Sequence, residues 1–215
     1  QLFHRWIVML LEKEMLRINP KVTLPYWDHT NDFAEPHKSK IWELFGHAGT
    51  AANDYCVADG PFANMTFQVP TPHCLRRQFN ADGTMSPWEG PEWHTAYQSG
   101  VDYPLLLKGI QVAFNLSNQN TIPRTLNLML NELRQMGPVH SMYGQFALKN
   151  AYFAHFKTHL SIGGLNGDMS RSYAPNDPLF YVFHNFHSLR GIKWQLMDDR
   201  YLVPDSYDFG VTYDS

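Results

Sequence analysis

The chain has 215 residues, 44% hydrophobic and 17% charged, the make-up of an ordinary folded protein with enough apolar mass for one buried core. A net charge of -3 and a pI near 6.4, with no run of Lys or Arg, exclude an electrostatic case for nucleic acid as a partner. The longest apolar run, Trp6 to Leu11, is far short of the roughly twenty residues a membrane helix needs.

Taken in chain order, Leu2 to Ile18 is predicted as an amphipathic helix with Trp6, Met9, Leu10 and Leu16 among its apolar positions, ended by Asn19-Pro20. His4 falls in its first turn. Glu12 and Asp28 are expected to support the fold by accepting hydrogen bonds, with Arg5 as one partner. From Asn31 to Thr84 the chain is punctuated by Gly, Pro, Asn and Asp, and only Pro36 to Phe45 reads as a brief helix. Short strands are expected near Val22 to Leu24 and Thr66 to Val69.

Cys56 and Cys74 flank a stretch that could not easily hold itself folded. A bridge between them would contribute about 3 kcal/mol in an oxidising compartment; the alternative is two reduced, buried thiols. Asn64-Met65-Thr66 and Asn115-Leu116-Ser117 fit the N-glycosylation pattern, and together with a cysteine-closed loop they favour a secreted or lumenal protein. Pro91 to Gln98, Tyr103 to Leu116 and Pro123 to Gln135 read as further helices, so the class is mainly α with long loops and little strand.

The chemistry is concentrated near the end. Asn150 to Leu160 contains no proline or glycine and reads as helix, which puts His155 and His159 on one face, four residues apart. Asn176-Asp177-Pro178 supplies N-cap residue types, after which Leu179 to Trp194 reads as a second helix carrying His184. Such spacing also occurs in core histidines that bind nothing. Three imidazoles from facing helices, with no cysteine or carboxylate at the ligand spacing, suit copper, zinc or iron, and copper leads.

Two blocks of residues resemble the type-3 copper proteins: tyrosinases, catechol oxidases and molluscan-type hemocyanins. His155-x-x-x-His159, Gly163-Gly164, Met169, Asn176-Asp177-Pro178-Leu179-Phe180, His184 and Trp194 are similar to the family's second copper site. Phe3-His4-Arg5-Trp6, Glu12 and Leu24-Pro25-Tyr26-Trp27-Asp28 are similar to the segment bearing the last histidine of the first site. Asp59 to Asn64 and Cys74-Leu75-Arg76-Arg77 resemble the linking region. The resemblance implies a helical bundle with an antiparallel four-helix core, copper as cofactor, and dioxygen and a small phenol as partners. The implied metal ligands are His4, His155, His159 and His184. It also implies either a phenol or ortho-diphenol oxidase or, alternatively, an oxygen carrier; a metal-poor matrix glycoprotein is the third reading.

In that family two further first-site histidines precede the position matched by His4. The chain is therefore expected to be a single domain over 1–215 that is a fragment, holding two copper ions if those histidines exist and one otherwise. His29, His37, His47, His73, His94 and His140 are read as surface or core residues, and His187 as a partly exposed structural histidine or a donor behind the ligands. Phe156 stands where many tyrosinases have an asparagine, Phe183 where many members have an extra histidine, and Ser188 where many have an aspartate. No Asp or Glu occurs from Val139 to Leu160 to orient a water with such an asparagine. Phe156, Leu160, Arg171 and Phe180 are the candidates for the substrate pocket, each with a plain structural alternative as core or loop.

Overall fold

The computed structural model describes residues 2–88 and 155–195. The helices expected at Pro91 to Gln98, Tyr103 to Leu116 and Pro123 to Gln135 lie outside these residues, as do His94, Asn115 and His140. The fold is mainly α. Among the described residues the helices are α1 (Leu2–Ile18), α2 (Ile41–Phe45), α3 (Lys157–Gly163) and α4 (Leu179–Gln195), with one two-stranded sheet, β1 (Thr66–Phe67) and β2 (His73–Cys74). Single 3-10 turns link them.

α1 forms where expected, but the apolar positions singled out in its sequence are not its buried face: Trp6, Met9, Leu10 and Leu16 are exposed, and it is Val8, with Leu11 and Met15 packed beside it at helical spacing, that faces the core in which α4 lies. Glu12, on the same helix, accepts from the Thr23 hydroxyl at 2.6 Å and the Leu24 N–H at 3.0 Å. Asp28 accepts from the Thr30 hydroxyl and N–H, so the partners of both carboxylates are local groups and not Arg5.

The strand expected at Val22 to Leu24 does not form. The Leu24 N–H goes to Glu12, its carbonyl accepts from the Asn185 side chain at 2.8 Å, and Pro25 has no N–H for a ladder. Trp27 N–H donates to the Val182 carbonyl at 3.0 Å, fixing this extended segment to α4. The stretch expected as one helix from Pro36 to Phe45 splits into a 3-10 turn at Pro36–Lys38 and α2. Ser39 divides them, its hydroxyl donating to Asp32 at 2.6 Å and accepting from the Ile41 N–H at 3.3 Å.

β1 and β2 pair antiparallel, Thr66 opposite Cys74, and the strand expected through Val69 stops at Phe67. Cys56 and Cys74 form a disulfide with Cα atoms 5.6 Å apart, closing the loop that carries Asn64. Asn64 itself is exposed, at a positive φ of 60°.

The loop region is joined to α4 by a fully buried pair. Arg77 donates from Nε and Nη2 to both oxygens of Asp177, at 2.7 and 2.6 Å, and from Nη1 to the carbonyls of Phe45 and Gly46. Asp177 also accepts from the Leu179 N–H at 2.9 Å, so the same carboxylate caps α4. Breaking such a pair strands a buried charge. Arg77→Leu or Asp177→Leu is expected to cost about 3–5 kcal/mol in denaturant unfolding, and the double leucine variant to recover part of that loss. Equal midpoints for all four proteins would contradict this assignment.

Candidate metal centre

His155 lies in a single π turn that runs into α3, His159 is in α3, and His184 is in α4 two turns beyond its cap. α3 ends where Gly163 is pressed against the 3-10 turn Asp168–Ser170: a Cβ on Gly163 would sit 2.1 Å from the Ser170 hydroxyl. Gly164 then reverses the chain at a φ of +54°. This tight return brings the Met169 carbonyl to His159 Nδ1, at 2.7 Å.

The three Nε2 atoms converge. His159 is 3.1 Å from His155 and 3.2 Å from His184, and His155 is 3.3 Å from His184. With its Nδ1 proton donated to Met169, His159 turns a bare Nε2 lone pair towards the other two, an arrangement that calls for a shared cation. Three nitrogens at about 2.0 Å from one ion, at tetrahedral angles, stand about 3.3 Å apart, so the residues present fit a metal. An imidazole-only donor set suits copper or zinc.

His4 flanks this triangle from α1. One of its ring nitrogens lies within 4.8 Å of donor nitrogens on His155 and His184, and its ring centre is 4.1 Å from that of His184. Phe180 packs 4.1 Å from the His184 ring and 5.4 Å from His4, while Phe183 stacks on His155 at 5.5 Å. Of the other pocket candidates, Leu160 is buried and Phe156 half-buried beside His155. Arg171 donates to the Leu165 carbonyl, tying its own loop together.

One histidine differs from its sequence reading, and two others take the core alternative of theirs. His187 is not partly exposed but buried, 4.6 Å from Phe183 and 5.1 Å from His155 between ring centres, and neither of its nitrogens has a hydrogen-bond partner among the described residues. His29 is fully buried, 5.3 Å from His187, so it is a core residue. His73 is engaged by the buried Asp168. The Met169 carbonyl was legible only as a family landmark; the signal for its role is the general need of a metal-binding imidazole for an acceptor at its second nitrogen.

Burial lowers the His159 pKa from its ordinary 6.5 to about 4, against the opposing pull of the Met169 carbonyl. Burial and the neighbouring imidazoles hold His184 and His187 well below the same value. Neutral imidazole, the metal-binding form, therefore persists into mild acid. A histidine buried neutral takes up its proton only on unfolding, so the unfolded state binds more protons between pH 6.5 and about 4. Stability of the metal-free protein is expected to be full above pH 6.5 and to fall as pH drops through that window. Thermal melts across pH test this, and His187→Leu, which removes one such group, should flatten the slope.

Residues 1–195 match the family described as the common central domain of tyrosinase. Among relatives, a tyrosinase-like protein phomQ2 of Diaporthe leptostromiformis is 27% identical over 185 residues, 80% of this chain and 37% of that protein. A tyrosinase of Streptomyces lincolnensis is 22% identical over 201 residues, 90% of this chain and 61% of its own length. Grixazone synthase of Streptomyces griseus is 37% identical over 62 residues, 28% of this chain and 20% of that protein. The chain thus spans 37% of the length of the first of these relatives and 61% of the second. With residues 1–195 covered and the histidine triangle among them, the chain belongs to the family of the tyrosinase central domain.

Proposed function

We propose that this chain is the core of a copper-dependent oxidoreductase that converts ortho-diphenols to quinones with dioxygen. The family implies copper, and the Nε2 triangle of His155, His159 and His184 is the observation that carries the reading. In it the triad holds one copper ion. If the family's two further first-site histidines are present in the full-length protein, His4 joins them at a second ion; otherwise the triad's ion stands alone.

Bound copper supplies the dioxygen binding and the electron transfer. Each ortho-diphenol gives up two electrons and two protons on becoming a quinone, so two diphenols reduce one dioxygen to two waters. The protein's part is positioning and exclusion of water. Phe180 and Phe183 wall the imidazoles with apolar surface, and Met169 holds His159 with its lone pair towards the site. Phe156, next to His155 in sequence, has no polar atom with which to orient a water, and the sequence has no carboxylate from Val139 to Leu160 to help. Removing a proton from a monophenol thus has no base positioned by these residues. A diphenol, which needs no ring hydroxylation, suits the site better. The Cys56–Cys74 bridge and the exposed Asn64 sequon support a secreted or lumenal location, with Asn64 carrying glycan.

Copper-loaded full-length protein is expected to turn over catechol at least about 100-fold faster than tyrosine, the usual size of a missing general base. Phe156→Asn should narrow that gap by raising monophenol turnover. Copper is to be counted in the same samples, where His159→Ala and His184→Ala should each lose metal from the triad. Fast tyrosine hydroxylation by the unaltered protein would sink the diphenol assignment. Reversible dioxygen uptake without turnover would replace the enzyme by a carrier that uses the same ligands, and absence of bound copper would leave the structural glycoprotein.

A further inference from the structure

His73 lies far from the ligands in sequence and takes no part in the metal triangle, yet it is held at both ends. Its Nδ1 faces the Thr71 carbonyl at 2.6 Å and its Nε2 faces Asp168 Oδ1 at 3.0 Å, with the two side chains 4% and 1% exposed. Asp168 has further work. Its other oxygen accepts from the Arg76 N–H at 3.2 Å and its own N–H donates to the Arg76 carbonyl at 2.9 Å. These bonds clamp the 3-10 turn Asp168–Ser170 to the strand that runs out of the disulfide-bridged hairpin.

The residue after Asp168 is Met169, whose carbonyl receives His159 Nδ1. The turn has no slack on its other side, because Gly167 N–H donates to the Gly163 carbonyl at 2.6 Å and Ser170 sits against Gly163. Where Asp168 goes, the Met169 carbonyl goes with it. A metal-binding imidazole is oriented by the acceptor at its second nitrogen, and disturbing such an acceptor typically costs 10–100-fold in metal affinity.

We propose that His73 and Asp168 are a buried pair of positioning residues for the metal centre, setting the direction and tautomer of His159 through the Met169 carbonyl. The proposal rests on the reading of the triad as a metal site. It assigns the hairpin a role in tuning that site, beyond closing a loop.

The test is imidazole 15N NMR of the metal-free full-length protein, followed through titration with Zn2+ alone, which reports tautomer and affinity at His159 itself. In the unaltered protein His159 should show the single tautomer with the proton on Nδ1 and take up zinc. His73→Leu and Asp168→Ala should each show mixed tautomers and bind zinc at His159 about tenfold or more weakly. His73→Gln, whose amide can still donate to Asp168, should restore both readouts and guards against a variant that fails to fold. If the unaltered protein takes up no zinc at His159, the metal-centre reading falls and this proposal with it. If it does, and the folded variants keep its tautomer and affinity, the positioning role alone is refuted.

Discussion

The buried ion pair between Arg77 and Asp177 is the constraint on which the rest of the site depends. Two charges removed from water are tolerated only when every polar atom finds a partner, and here the guanidinium spends four hydrogen bonds and the carboxylate three. Asp177 precedes His184 by seven residues, close to two helical turns, so fixing the cap also fixes the direction in which His184 leaves α4. From the other partner, Gln78 N–H reaches the Ile162 carbonyl at 3.1 Å and the Arg76 carbonyl receives Asp168 N–H. Three consecutive residues, Arg76, Arg77 and Gln78, thereby hold α4, the Asp168–Ser170 turn and the end of α3 in one frame.

Around the histidine triangle the protein gives up polar satisfaction. Phe180, Phe183 and Phe186 pack against imidazoles, and His187 is buried among them with both nitrogens unanswered among the described residues. Such a group costs stability in a dry interior. What the enclosure gains is a low local dielectric, which keeps these imidazoles neutral.

α1 and α4 were legible because each has local punctuation: Asn19-Pro20 after one, Asn176-Asp177-Pro178 before the other, and apolar periodicity between. The triad was legible because two of its members are four residues apart and the third follows a cap. The strand at Val22 to Leu24 was misread since β-branched residues beside a proline look alike whether their backbone bonds to a strand or, as here, to Glu12 and Asn185. His29, His73 and His187 carried no local signal at all. Their partners, Trp88, Asp168 and Phe183, are set by tertiary packing, and a lone histidine reads the same whether exposed, buried or clamped.

The span of the Arg77–Asp177 contact also orders events in time. Its partners are 100 residues apart, so it forms only after a long segment has been closed into a loop, whereas His155 and His159 are neighbours on one short helix. His184 follows His159 by only 25 residues, so the histidine triangle closes a far shorter loop than the ion pair does. By loop length the three nitrogens meet at lower cost than Arg77 and Asp177 do, and the ion pair then fixes the direction in which His184 leaves α4. The contact that caps a helix is thereby the late lock on a triangle made from shorter-range contacts.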